Sequence, residues 1–417
     1  MTAELQPQTT VARRPAPTAG GLVETARPKL DPEALIWAEI NLDAIAANVR
    51  VLRSHVGTRV QLVAVVKANA YGHGAVPVAT AALAAGAHSL AVGRLDEAVE
   101  LRDAGIAAPI LVMGPVPASA ATRCITLRLT PTVQDLTVAR ALAHAARTAG
   151  QTVPAHIKVD TGMTRFGLLA DEAVAFTCAV AAIEGLEVEG LYTHFAAADA
   201  GDLASTQQQL ASLLDLVGRL RAVGINPAVL HAANSAATLA LPAAHLDQVR
   251  VGAALYGLHT TGSSSAALAL RPVLTLKTRV IRLRYVPAGT PVSYGSTYHT
   301  TEATCLATLA AGYGDGLSVA LSGRGAVLLG GKTCRVVGRV CMDQLVVDCR
   351  DGSGVQEGDA AVLIGQQGEA SITAEDVAEV SGTINYEVVT RLSARVPRFY
   401  QQGQAITSAP PLNGTTH

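Results

Sequence analysis

Aromatic side chains are scarce in this sequence: 3% of its 417 residues, with one Trp and four Phe. Charged residues are also sparse at 16%, while hydrophobic residues reach 49%. The apolar mass is therefore Ala, Val and Leu, small side chains suited to helices packed closely on a sheet. Formal net charge is -1, which leaves no electrostatic footprint for nucleic acid or an anionic membrane surface. Six cysteines (Cys124, Cys178, Cys305, Cys334, Cys341 and Cys349) are scattered, with no Cys-x-x-Cys pair and no Cys/His ligand spacing. That pattern predicts reduced, mostly buried thiols in a cytoplasmic protein, and no metal site. No His-Glu-x-x-His string exists, so the zinc-hydrolase pattern is absent. Nor is there a long apolar run. The least charged stretch, 104–121, is broken by Pro109, Pro115 and Pro117, which excludes a membrane span there. Arg13 and Arg14 are followed by PAPTAGG rather than an apolar segment, which argues against a targeting signal; residues 1–34 read as a disordered tail.

What remains is an alternation. Between about 38 and 260, short apolar runs end in Gly, Asn or Asp and give way to helix-like segments. The runs are 62–66, 89–92, 110–113, a weak one near 129–133, 155–160, 188–194, 228–232 and 249–252. Short buried strands separated by helices predict parallel βαβ units, and eight of them fit a (β/α)8 barrel. A doubly wound open sheet is the competing fold. The clearest helix starts near Asp202, with Leu210, Leu213, Leu214, Val217 and Leu220 at helical spacing. Past residue 270 the texture turns to β. In 274–286 the apolar phase shifts from Leu274, Leu276, Thr278 and Val280 to Ile281, Leu283 and Tyr285, which predicts a bulge. Further strand-like runs are 304–310, 325–330, 333–349 and 360–364, before a helix near 373–394. The expected organisation is a tail (1–34), a barrel (35–270), a mostly β domain (271–402) and a flexible tail (403–417).

Within the string AVVKANAYGHG (64–74), Lys67 falls just past the first buried strand, at the end of a barrel where active sites lie. A desolvated lysine there can form a Schiff base with an aldehyde cofactor. A generic lysine at a strand end is simply solvated, so the surrounding residues decide. This string resembles the cofactor-lysine motif of alanine racemases. So do KVDTGMTRFG (158–167), YTHF (192–195), HAANSAA (231–237), VRVGAALYG (249–257), VSYGSTY (292–298), AAGYGDG (310–316), GRVCMDQ (338–344) and TRLSARVPRFY (390–400), in family order. The resemblance spans about residues 36–400 and implies a (β/α)8 TIM barrel followed by a β domain, binding pyridoxal 5′-phosphate.

The resemblance implies roles residue by residue. Lys67 would bond the cofactor and serve as one catalytic base; Tyr294, contributed by the partner subunit, would be the other. Inverting a stereocentre this way requires a proton to leave one face and arrive at the opposite one. Arg250 would face the pyridine nitrogen and, being always protonated, keep that nitrogen unprotonated. Tyr71, Ser235, Tyr386 and the amides of Gly252 and Ala253 would hold the phosphate, with His194 beside the ring. Arg165 and the partner's Met342 would meet the substrate carboxylate, and Tyr313 would line the entrance. Lys158, Cys341 and Asp343 would be supporting residues, Lys158 matching a lysine carbamylated in some members. Three residues depart from the usual strings: Thr164 for Gly or Asn, Phe166 for a smaller aliphatic, and Gly314 for Ala. The expected protein is a cytoplasmic homodimer with shared sites, racemising alanine for peptidoglycan. Competing readings are a broader amino-acid racemase, a barrel decarboxylase, which Arg250 argues against, and a non-catalytic cofactor-binding module, which the β domain argues against.

Overall fold

In the computed structural model, described here for residues 33–259, 268–350, 352, 354–403 and 405–408, the eight expected strands form one parallel sheet. They are Gln61–Val65, Ser89–Val92, Ile110–Val112, Thr130–Val133, Val153–Asp160, Leu186–Tyr192, Val229–His231 and Gln248–Val251. Neighbours pair in chain order, and the last strand pairs parallel with the first. The seventh and eighth strands meet through bonds such as Arg250 N to Ala233 O at 3.0 Å, so the sheet is a nearly closed barrel and not a doubly wound open sheet. Helices alternate with the strands and pack on the outside. The weak fourth run is a real strand, Thr130–Val133. Its Pro131 carries no N–H, so the sequence signal there is poor.

The helix Ala204–Ala222 is opened by Asp202, whose carboxylate accepts from the Ala204 amide at 2.8 Å. Leu210, Leu213, Val217 and Leu220 are buried as expected, but Leu214 is exposed and Leu216 takes its place in the core. The apolar stripe is rotated because its inner edge also meets the neighbouring helix Ala170–Ala181.

The second unit is a ten-stranded sheet. Its long strand Leu274–Val286 shifts register between Val280 and Arg282 against Thr304–Leu309, at the place where the apolar phase changes. The run 333–349 is two strands, Lys332–Val337 and Leu345–Asp348, because Gly338 (φ 70°) turns the chain out into a loop. The terminal helix is likewise two, Ala374–Ser381 and Asn385–Thr390, separated by Gly382 in the left-handed region. One element had no sequence signal. Ile36–Asn41 precedes the barrel in the chain, yet it lies between Leu274–Val286 and Arg398–Gln402 in this sheet, antiparallel to the first and parallel to the second. Ala405–Ser408, within the segment read as a tail, adds an edge strand. Residues 1–32 and 409–417, the remainder of the expected tails, lie outside the described residues.

The two units meet at the Lys67 loop. Gly72 has φ 81°, its carbonyl accepts from Arg398 Nε at 3.1 Å, and a Cβ there would overlap the carbonyl of Val389. A Gly72→Ala change should therefore destabilise by more than about 2 kcal/mol, combining left-handed strain with a backbone clash. Gly382→Ala, at φ 69° and ψ 36° with nothing nearby, should carry only the left-handed strain, about 1 kcal/mol. Equal denaturation midpoints for the two variants would show that the units are not packed this way.

Candidate active site

Lys67 follows the first barrel strand directly, and the chain after it does something unusual. Ala68, Asn69, Ala70 and Tyr71 all have φ between 52° and 54°, a complete left-handed turn made of L-residues other than glycine. Such a conformation costs roughly 1–2 kcal/mol per residue, so contacts must hold it. Ala70 N donates to Val66 O and Gly72 N to Ala68 O, each at 2.9 Å. The Asn69 side chain accepts from Ala75 N at 2.8 Å. Glu97, reaching from the next βα unit, accepts from Ala68 N at 2.5 Å and from Gly93 N at 2.8 Å. The turn fixes the stem of Lys67 and brings Tyr71 back toward the barrel mouth. Burial lowers the Lys67 pKa, the Arg165 guanidinium lowers it further, and Glu97 partly opposes them. The amine is thus closer to neutral than a surface lysine.

Arg250 is 3% exposed, on the last barrel strand. Its Nη1 donates to His231 Nδ1 at 2.6 Å, and its Nη2 to Thr193 O at 2.9 Å and Ala232 O at 3.0 Å. Nη2 also points at His194 Nδ1, 3.3 Å away. Burial brings the Arg250 pKa down to about 10, so the group stays cationic at neutral pH. Burial and the Arg250 charge hold His194 and His231 well below the usual histidine value, so both are neutral. One donor is left over. Arg250 Nε is buried and has no hydrogen-bond partner among the described residues. An unpaired buried N–H is costly, and a ligand acceptor at this point would satisfy it.

Around the same mouth, Ser235 Oγ accepts from the amides of Gly252 at 2.9 Å and Ala254 at 3.2 Å. The Ala254 amide is thus the second one turned toward Ser235. Ser235 itself stands four residues past the seventh strand, as the first residue of Ser235–Ala240, where Asn234 caps by accepting from Ala237 N. A Cβ on Gly252 would lie 2.5 Å from Tyr71 Oη, so glycine here leaves room for that hydroxyl. The Tyr71 and Tyr386 rings meet edge to face, 6.3 Å apart. Burial pushes the Tyr386 phenol up to about 12 and Tyr71 higher still, so both hydroxyls keep their protons. Hydroxyls, amides and a facing glycine form a cradle that suits a phosphate dianion.

Lys158 and Arg165 complete this cluster. Lys158 is buried on the fifth strand with its Nζ over the Phe166 ring, 5.0 Å from the centroid. Burial first, then Arg165 and Arg250, hold its pKa at about 8. Asp160 sets the turn leading to Arg165 by accepting from Gly162, Met163 and Thr164 at 2.9, 3.0 and 3.0 Å. Thr164 has φ 52°, a conformation easier for the glycine or asparagine common there.

Tyr294, Met342, Tyr313, Cys341 and Asp343 form a second group, on the β domain. Tyr294 is 72% exposed, Met342 53% and Tyr313 42%. Tyr294 sits in a tight turn between Ser293 (φ 63°) and Ser296 (φ 47°), tied down by Ser293 Oγ donating to Arg339 O at 2.7 Å. Cys341 O accepts from Tyr313 N at 3.0 Å. Arg395 pairs with Asp315 at 2.7 Å and Asp343 at 2.9 Å, and a Cβ on Gly314 would lie 2.7 Å from that guanidinium, which accounts for glycine at this position. Among the described residues, no hydrogen bond or ion pair joins this group to the Lys67 cluster.

Sequence reading missed His231 and Tyr192, which touch Arg250, and His156 and Glu189, which continue the hydrogen bonds beyond His231. A signal existed. His156 and Lys158 are ionisable residues two apart on a buried strand, so both face the barrel interior, where aliphatic side chains are the rule. Among the described residues, no helix is long and apolar enough to cross a membrane and no group of acidic, His or Cys side chains could hold a metal. Four of the six cysteines are buried.

Comparison with known proteins supplies the remaining findings. Residues 40–260 match the family described as the alanine racemase N-terminal domain, and residues 273–400 the C-terminal domain. The alanine racemase of Carboxydothermus hydrogenoformans is 45% identical over 366 residues, covering 88% of this chain and 99% of that protein. The crystal structure of the alanine racemase from D-cycloserine-producing Streptomyces lavendulae superposes with a TM-score of 0.84 at 42% identity, covering 89% of this chain and 98% of that one. The Bartonella henselae alanine racemase, whose structure holds covalently bound pyridoxal phosphate, has a TM-score of 0.78 at 29% identity, over 88% of this chain and all of that one.

Proposed function

Since the chain belongs to the alanine racemase family, a family of isomerases, we propose that it interconverts L- and D-alanine with pyridoxal 5′-phosphate, through two bases on opposite faces of the bound substrate. The observation that carries this reading is the buried Arg250 Nε, a donor with no hydrogen-bond partner among the described residues. It asks for an acceptor where a pyridine nitrogen would lie, and the Ser235–Gly252–Tyr71–Tyr386 cradle asks for a phosphate. The residues present fit the cofactor at both ends.

When bound, the cofactor supplies an electron sink that makes the α-proton of an amino acid acidic. The chain supplies the rest. Lys67, its amine shifted toward neutrality by burial, bonds the cofactor at rest and carries a proton to or from one face of Cα. Tyr294 of the partner subunit serves the other face through its phenol oxygen. Arg250, cationic and fixed by His231 and two carbonyls, cannot take a proton from the pyridine nitrogen or leave one on it. That limits charge delocalisation into the ring and disfavours reactions other than proton return. Arg165 would take the substrate carboxylate as a bidentate partner, together with the partner's Met342 amide, and Tyr313 would line the entrance. The resemblance also implies a carbamate on Lys158; an amine held at about 8 has a neutral fraction able to capture carbon dioxide, and the product would place an anion against Arg165. The expected assembly is a homodimer in the cytoplasm, supplying D-alanine for peptidoglycan.

Chiral chromatography tests the assignment. Purified protein with pyridoxal 5′-phosphate should convert L-alanine to D-alanine well ahead of L-serine, L-lysine or L-arginine. D-serine or D-lysine formed at comparable rates would make it a broader racemase. No D-isomer from folded, cofactor-loaded protein would overturn the enzyme reading.

A further inference from the structure

A row of hydrogen bonds runs from Arg250 to the Glu189 carboxylate. Arg250 Nη1 lies 2.6 Å from His231 Nδ1, His231 Nε2 lies 2.8 Å from His156 Nδ1, and His156 Nε2 lies 3.1 Å from Glu189 Oε2. The direction of every bond is determined. A guanidinium only donates, so His231 Nδ1 accepts and its proton is on Nε2. That N–H donates to His156 Nδ1, so His156 also carries its proton on Nε2 and donates to the Glu189 carboxylate. Arg250, His231 and His156 are all buried, whereas the Glu189 side chain is 38% exposed. Tyr192 fixes the rings further: it stacks on His231 at 4.5 Å and 7°, and its own ring lies 5.1 Å from the Arg250 guanidinium carbon.

The backbone is built around the far end of this row. Strands Val153–Asp160 and Leu186–Tyr192 pair in register up to Ala155 and Val188, and then His156 pairs with Gly190. Glu189 is the extra residue, bulged out of a parallel ladder where bulges are rare, and a bulge re-aims a side chain. A Cβ on Gly190 would come within 2.7 Å of the His156 ring, so glycine there makes room for the imidazole. Both departures from regular strand serve one pair, His156 with Glu189.

We propose that Glu189 is a positioning residue for racemisation: through His156 and His231 it fixes the tautomers that orient Arg250 and supplies the anion that balances the buried guanidinium. The role rests on the reading of Arg250 given above. Polar partners directly behind a metal ligand change affinity or activity about ten- to a hundredfold when removed; Glu189 stands two histidines behind Arg250, so a smaller change is expected.

The test compares Glu189→Gln, which keeps an acceptor but loses the charge, with Glu189→Leu, which loses both. Three readouts are taken on each: cofactor affinity of the apoprotein, the nitrogen resonance of cofactor labelled at its pyridine nitrogen, and kcat and KM for alanine. Expected for Glu189→Gln are a kcat lower by about three- to tenfold, a KM within about twofold and a displaced pyridine resonance, with larger changes in Glu189→Leu. Restored values in Glu189→Asp would support the charge as the cause. Wild-type kcat and resonance in a folded Glu189→Gln or Glu189→Leu protein would overturn the proposal. Should Glu189→Leu fail to fold, Glu189→Gln decides alone. Absence of alanine turnover by the wild type would refute the racemase reading separately, and the resonance and affinity would still decide the role of Glu189.

Discussion

Replacing Tyr294 with phenylalanine should lower racemisation by about a hundred- to ten-thousandfold in both directions, the usual scale for removing a general acid or base. The cofactor should bind normally, because Tyr294 is not one of the cradle residues Tyr71, Ser235, Gly252 and Tyr386. The decisive measurement is isotopic. In deuterated water, one enantiomer should still exchange its α-hydrogen without inverting, since the lysine on its face survives, while the other should exchange slowly. Loss of exchange for both enantiomers alike, or racemisation at the wild-type rate, would sink the two-base account. On the two-base proposal, the second base comes from another chain. Tyr294 is 72% exposed in a turn pinned by Ser293, so a single chain offers it to solvent and not to its own Lys67. Mixing Lys67→Ala with Tyr294→Phe chains should therefore restore activity, since every hybrid dimer holds one intact site. Random pairing makes half the dimers hybrid, so recovery should approach about a quarter of the wild-type rate. Hybrid dimers that form but stay inactive would mean each site is built within one chain.

The largest loss is expected at Lys67. Lys67→Ala should reduce turnover by more than about ten-thousandfold, since it removes both the covalent anchor and a proton carrier. It should leave the fold intact. The left-handed turn beyond Lys67 is held by Asn69, Glu97 and backbone bonds, none of which uses the lysine side chain. Cofactor should then wash out on dialysis, where the wild type retains it. If Lys67→Ala kept more than a percent of activity, another amine would be the anchor. Lys158 would be the first candidate, being buried in the same cluster with its pKa held at about 8.

Much of this architecture was legible from sequence. Parallel barrel strands are buried on both faces, so most read as short apolar runs, while Thr130–Val133, with its Pro131, read only weakly. The bulge in Leu274–Val286 was legible because a change of face is a change of apolar phase. Strand Ile36–Asn41 was not: a sheet partner more than two hundred residues away leaves no local mark. The loop within 333–349 was hidden by Val and Cys residues that look like strand, and only Gly338 hinted at it. At the site, chemically distinctive residues such as Lys67 and Arg250 were found. The residues that orient Arg250 were passed over, because a lone histidine in a strand is usually a satisfied core residue. The left-handed turn was also invisible, since Ala-Asn-Ala-Tyr carries no glycine to announce it.

The placement of Ile36–Asn41 has a consequence for how the protein is made. This strand leaves the ribosome before the barrel does, yet its two sheet neighbours, Leu274–Val286 and Arg398–Gln402, are synthesised after the entire barrel. At roughly 5–20 residues per second, the barrel has time to close while its leading strand waits with both edges open. The last partner to arrive belongs to the final stretch of the chain, and its Arg398 also bonds the Gly72 carbonyl beside the lysine loop. Interrupted translation would thus yield barrels with an unguarded strand and an unsupported lysine loop, and only a finished chain can seal both.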